Sequence, residues 1–170
     1  EVFVNYSSDM TKIAEMVYGV RDEVINLGLS MIAEEWEFYD EKLRTNKQLR
    51  KGWYIVRRDE TTLLTSLGSV TYHKTLFKNV QTGEYEYLLD RVMGIEKHAR
   101  ITEDAEAKIL EEAAESSYRK GGNSVCITED TVSKETVMNK IHALQFPKIT
   151  ADGVKKQVPY LYIDADEDHV

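Results

Sequence analysis

The sequence predicts an α+β chain: a helical amino-terminal arm, a small antiparallel β meander, a helix-turn-helix-like helical unit and a closing strand. Three observations predict it. Apolar residues recur at heptad spacing between Ile13 and Met31, a period of two takes over between Trp53 and Leu88, and cap-and-stripe patterns follow Thr102 and Ser133. The implied divisions are 1–52, 53–100, 101–147 and 148–170.

In the arm, Asp9 can cap a helix, with Ser7 and Ser8 just before it. Ile13, Val17, Val20, Val24, Leu27 and Met31 then follow in alternating steps of four and three, a coiled-coil seam. Gly28 weakens the helix, the seam fades at Glu34 and Glu35, and Trp36, Phe38 and Tyr39 start a second apolar patch. The simplest reading is one long helix, or a helix pair, to about Leu49. The seam serves either to zip two copies together or to pack on its own domain.

From Trp53 the spacing becomes strand-like. Trp53–Val56 and Leu63–Thr65 read as strands, and Leu67-Gly68 as a tight turn. Ser69–Phe77 alternates, with Val70, Tyr72, Lys74 and Leu76 against Thr71, His73, Thr75 and Phe77. A loop at 79–83 leads to a return strand, Tyr85–Leu88, giving a meander of three or four strands. His73 and Lys74 read as decoration of an exposed face.

The next third is helical. Thr102 can cap a helix with Glu103 and Asp104 in its first turn, where the positive helix terminus favours acids. Its core stripe is Ile109, Leu110, Ala113 and Ala114. Ser117–Lys120 extends it or begins a short second helix before Gly121-Gly122, a pair that lacks the following Lys-Ser/Thr of a phosphate loop. Ser133 caps a third helix, Lys134–Leu144, with Val137, Ile141 and Leu144 inward and Met138 at the edge. Phe146-Pro147 ends it, and 148–157 is a polar linker into the strand Val158–Ile163.

Composition narrows the function. A single cysteine, Cys126, excludes a disulfide framework and a cysteine zinc cluster, and fits a reducing cytoplasm. The longest uncharged apolar stretch, Val24–Ala33, is too short to span a bilayer, so no membrane is expected. The net charge of −8 is unevenly spread: −7 over residues 1–40, +5 over 41–100 and −6 over 101–170. The densest basic run is Lys42, Arg44, Lys47, Arg50, Lys51, Arg57 and Arg58, with Trp53 and Tyr54 between. Such a run can contact phosphates by releasing counterions; taken by itself it reads first as a solvated helix end. On the third helix, Glu135, Thr136, Asn139 and His142 offer the short polar and amide side chains that reach base edges in a major groove, though any amphipathic helix has a polar face.

The closing segment carries the sharpest chemical signal. If its strand runs on, Asp164, Asp166 and Asp168 share one face. Neighbouring carboxylates at that spacing repel by about 2 kcal/mol at an effective dielectric of ~20, and a divalent cation would relieve them. Mg²⁺ takes one or two such carboxylates and leaves room for phosphate. The bland reading is a solvated acidic tail. A calcium loop fits poorly, because His169 stands where the loop needs glycine. Glu1 and the end within a strand pattern both read as excised boundaries, so the chain is expected to be the front of an enzyme.

The order and spacing of several motifs resemble the front of bacterial ISLre-type insertion-sequence transposases. They are Trp53-Tyr54-x-Val56-Arg57-Arg58-Asp59, Leu64-Thr65-x-Leu67-Gly68-x-Val70-Thr71-Tyr72, Gly83-Glu84-Tyr85-x-Tyr87-Leu88-Leu89-Asp90, the run from Ile101 to Lys108, Ser117–Gly122, Ser133–His142 and Tyr162–Val170. The resemblance implies a DDE-type transposase whose catalytic domain is similar to ribonuclease H, here truncated after its first strand. Such enzymes cut element ends and join them to target DNA with two Mg²⁺ ions held by three separated acids. The resemblance puts the first catalytic acid and metal ligand at Asp166, with Asp164 as second choice. The others would lie beyond Val170, so this stretch alone is expected to be inactive.

What remains would be recognition of element ends, in a bacterial, nucleoid-associated setting. Lys134, Thr136, Asn139, Lys140 and His142 would read double-stranded DNA, with Lys51, Arg57 and Arg58 on its backbone, the whole acting alone or as a homodimer. No small-molecule substrate is expected. Two other readings stay open: a non-enzymatic helical dimerisation or interaction module, and a metal-dependent nuclease that does not transpose.

Overall fold

A computed structural model describes residues 12–145 and Tyr160. The heptad segment and the patch after it form one helix, α1 (Ile13–Thr45), about 50 Å long. Gly28 does not interrupt it. Lys42 and Arg44 in its last turn suit the negative helix terminus. The capping residues Ser7, Ser8 and Asp9 lie outside the described residues.

Three strands follow, β1 (Trp53–Leu64), β2 (Ser69–Asn79) and β3 (Tyr85–Tyr87), paired antiparallel in sequence order. The two short strands expected in 53–65 are one. The polar stretch Arg57–Thr62 continues the ladder because β1 is an edge strand that needs few apolar residues, and a bulge at Val56 shifts its register. Leu88, expected to end the third strand, instead starts a helix, α2 (Leu88–Met93), which Gly94 closes in a left-handed conformation. The carboxy-terminal unit contains α3 (Glu103–Glu115), α4 (Tyr118–Asn123) and α5 (Lys134–Ala143).

Two apolar clusters hold these elements. In the first, Leu43 of α1, Leu63, Val70, Tyr72 and Phe77 of the sheet, and Leu88 and Leu89 of α2 are buried. Leu29, Ile32, Ala33 and Trp36 pack against them, with Trp36 edge-on to Tyr72 at 4.8 Å between ring centroids. In the second, Ala105, Ile109, Ala113, Val125, Cys126 and Val137 are buried. The α3 stripe is therefore Ala105, Ile109 and Ala113; Ala114 is exposed and Leu110 half-buried. On α5 Val137 is buried and Ile141 half-buried, but Leu144, expected inward, is 42% exposed just past the helix end.

The open edge of β2 is closed by α1 rather than by a strand. β3 pairs only with Leu76–Lys78. Beyond that point the N–H groups of Thr75 and His73 need other acceptors. Asp40 accepts from the Thr75 N–H at 2.9 Å and from its hydroxyl at 2.6 Å, and Glu37, one turn earlier, accepts from the His73 N–H at 2.7 Å. Residues three apart on a helix meet N–H groups two apart on a strand.

Carboxylates also tie the helical unit to the hairpin tip. Asp104 accepts from the Ser66 N–H at 2.8 Å and Asp130 from the Ser69 N–H at 3.1 Å. Leu64 exchanges backbone hydrogen bonds with Arg100 and Thr102. Thr102 does stand at the α3 N-cap, but its hydroxyl donates to the Leu64 carbonyl instead of capping the helix. Gly68 lets the turn approach Thr128, whose methyl carbon would sit 2.7 Å from an added Cβ.

Candidate nucleic-acid interface

Helix α5 starts as expected. The Ser133 hydroxyl accepts from the Thr136 N–H at 3.2 Å, and Val137 anchors the inner face. That geometry leaves Glu135, Asn139 and His142 exposed on the opposite side. Lys134 is exposed too, 3.7 Å from Glu135. Thr136 is half-buried, its hydroxyl 3.1 Å from that of Ser133. Lys140 is half-buried and ion-paired with Glu106 of α3. The connection from α4 to α5 spans residues 124–133, longer than the three or four residues of a helix-turn-helix. Residues 101–145 carry 5 basic and 9 acidic side chains.

The basic run is largely matched by internal partners. Arg57 meets Asp59 at 2.9 Å, Arg58 meets Glu37 at 2.9 Å and Arg44 meets Glu41 at 2.5 Å. Arg50 donates to the Arg44 and Trp53 carbonyls, and Lys42 lies 4.2 Å over the Phe38 ring. Lys47 and Lys51 make no ion pair among the described residues. The two candidate surfaces are not adjacent. α5 belongs to the unit docked at the Leu64 end of β1, while Lys51 precedes its Trp53 end, about 36 Å away along the strand.

Sequence reasoning missed a polar network joining β1, β2, β3 and α2. Lys74, expected on an exposed face, is mostly buried, 2.5 Å from Asp90 of α2 and 4.3 Å over the Tyr87 ring. The Tyr87 hydroxyl donates to Asp59 at 2.7 Å, and this bond, with those from Arg57, holds the Asp59 carboxyl below the usual range. These groups line a cleft of about 1450 Å³ together with Trp53, Arg91 and Arg100. Burial drives the Tyr72 hydroxyl strongly upward, reinforced by Asp90 and Asp40. The only sequence signal for this network was Lys74 at an inward register beside Tyr72 and Leu76. His73, expected to decorate an exposed face, is half-buried and bonded through Nδ1 to Glu37 at 2.9 Å. Burial raises the Glu37 carboxyl, and its bonds to His73 more than offset that, leaving it lowered.

The proposed metal ligands Asp164 and Asp166, the linker and nearly all of the closing strand lie outside the described residues. Tyr160, the exception, is exposed and lies outside any strand. Among the described residues no group of three or more His, Cys, Asp or Glu side chains converges, and no helix is long and apolar enough to cross a membrane.

Comparison with known proteins places the sequence in a family. The profile of a family described as "Uncharacterised protein family (UPF0236)" matches residues 7–170. A UPF0236 protein of Caldanaerobacter subterraneus subsp. tengcongensis is 33% identical over 170 residues, covering 99% of this chain and 36% of that protein; its name joins eleven locus designations. A second from the same organism, joining four, is 33% identical over 171 residues, covering 100% and 36%. A third, joining two, is 33% identical over 171 residues, covering 100% and 34%. The chain thus spans about a third of the length of the curated relatives it matches. No solved structure matches it. A profile match over nearly the whole chain, with relatives aligned end to end at one-third identity, makes this chain a member of the UPF0236 family.

Proposed function

We propose that the chain is the amino-terminal DNA-binding region of a DDE-type transposase that recognises insertion-sequence ends for cleavage and strand transfer. The observation that carries this reading is copy number. The name of one relative joins eleven loci of a single genome, as expected of a gene that moves. The motif order shared with ISLre-type transposases points the same way. Chemically, α5 supports it through a capped amino terminus and exposed Lys134, Asn139 and His142. Asn can bond bidentately to adenine, and Lys can reach guanine or phosphate. Lys51 would add a backbone contact about one helical turn of duplex away. Arg57, Arg58 and Lys140 would first have to leave Asp59, Glu37 and Glu106, so their share is expected to be smaller.

Mg²⁺ prefers hard oxygen donors, and Asp166 with Asp164 supplies that donor type. Bound there, it would stabilise the attacking and leaving oxygens of a phosphodiester. The remaining acids of such a site are assigned to the part of the longer relatives that this chain does not span.

The test is a salt-titrated binding assay with duplexes from both flanks of the gene and scrambled controls. Asn139→Ala should weaken binding to the flank duplex about 10- to 100-fold and leave scrambled duplex nearly unchanged. Lys51→Ala should weaken both and reduce the salt slope by about 1. Absence of binding to any duplex at low salt would overturn the proposal. Equal loss on both duplexes for Asn139→Ala would remove base readout by α5.

A further inference from the structure

Among the described residues nothing covers the heptad seam of α1. Ile13, Val17, Val20, Val24, Leu27 and Met31 are 45–63% exposed along about 27 Å of helix. The side chains that fasten α1 to the sheet, Leu29, Ile32, Ala33, Trp36, Asp40 and Leu43, lie on the opposite face. Where the two stripes overlap, at 27–33, Leu27 and Met31 point outward while Leu29, Ile32 and Ala33 point inward. The body of the protein packs behind the seam only from Leu29 onward; before that α1 projects as an exposed helix among the described residues.

We infer that residues 13–31 zip with the same segment of a second copy as a parallel two-stranded coiled coil. The spacing assigns Val17, Val24 and Met31 to position a, and Ile13, Val20 and Leu27 to position d. Val17 and Val24 at a with Leu27 at d fit the two-stranded parallel pattern, while Ile13 and Val20 at d do not add to it. Charge selects the orientation. The antiparallel register that keeps all six layers sets Glu23 against Glu23 and Arg21 against Arg21. The parallel register sets Met16 beside Arg21, Glu23 beside Gly28 and Ser30 beside Glu35, with no like charges opposed. Two copies bring together on the order of 1,200 Å² of apolar surface, the lower edge of a stable interface. Glu34 falls at the next d position and ends the zipper. Because each body packs on the outer face of its own helix and only from Leu29 onward, two bodies fit beside one stalk.

The test is sedimentation velocity on the chain between about 1 and 100 μM, where a dimer with a Kd on the order of 10 μM reveals itself. The expected mass rises from 19.6 kDa toward twice that value. Val24→Glu should weaken dimerisation by on the order of 100-fold or more, with the helical circular dichroism of the folded monomer retained. Asp22→Lys, on the outer face, should leave it intact. For orientation, Met31→Cys should form an inter-copy disulfide by itself, since position a faces its own copy in a parallel pair. A monomer throughout the range overturns the inference and leaves the seam to another part of the longer relatives. So does a dimer indifferent to Val24→Glu. Cross-linking only between Ile13→Cys and Met31→Cys overturns the parallel orientation. None of these readouts depends on DNA binding.

Discussion

Asp40 offers the strictest check on how α1 is held to the sheet. Its carboxyl is 1% exposed and accepts both the N–H and the hydroxyl of Thr75, itself 0% exposed. Asp40→Ala removes both acceptors and admits no obvious replacement. Each buried donor left unpaired costs roughly 1–3 kcal/mol, so the substitution should cost on the order of 3–5 kcal/mol. Asp40→Asn keeps one oxygen for the N–H and turns its amide toward the Thr75 oxygen, which can accept, so about 1–2 kcal/mol is expected. Thr75→Val should cost about 2 kcal/mol. The double variant should cost less than the two single losses combined, by roughly 1–2 kcal/mol, because the groups share one interaction. Urea unfolding read by tryptophan fluorescence suits the question, since Trp36 and Trp53 both pack against the cluster that Asp40 secures. Against a total stability of roughly 5–15 kcal/mol, the Asp40→Ala loss is easily measured. A loss under about 0.5 kcal/mol for Asp40→Ala, or full additivity in the cycle, would refute the reasoning: water would then be supplying the partners.

Two further outcomes follow from the carboxylates and glycines that join the helical unit. Hydrogen bonds from the Thr128 hydroxyl and the Ser69 N–H hold the Asp130 carboxyl below the ordinary 3.8; burial raises that of Asp104, and bonds from Thr102 and Ser66 more than offset it. A lowered folded-state value means the stabilisation is complete above about pH 4 and lost as pH falls through the folded value. Thermal melts should therefore change little from pH 7 to 5 on this account, and Asp130→Asn with Asp104→Asn should flatten the acid limb; an unchanged acid limb would count against the clamp. Gly122→Ala would place a Cβ 2.1 Å from the Val132 carbonyl oxygen, backbone that also hydrogen-bonds Gly122. It should cost on the order of 3 kcal/mol and lower the melting temperature, whereas a wild-type melt would show that the 124–133 connection yields freely.

What local pattern determines was legible. The heptad run and the patch after it made one long helix, Ser133 capped α5, and the alternation at 69–77 made β2, because each signal is carried by residues within a turn or two of one another. The Asn139 and His142 face was exposed for the same reason: Val137 and Ile141 fix which side of α5 turns inward.

What tertiary structure decided lay elsewhere. Glu37 and Asp40 finish the edge of β2 because β3 stops short of Thr75, a fact about chain segments some 35 residues apart. Lys74 is buried because α2, unmarked in the sequence, delivers Asp90 to it. Gly121 and Gly122 continue α4, where a bare Cα lets the helix touch Ala113 and Val132. Three of the seven residues of the basic run, Arg44, Arg57 and Arg58, are matched with acids that charge counting could not assign to them. Periodicity states which face of an element is apolar. Only packing states which face finds a partner, and on α1 it covered the second stripe and left the first exposed.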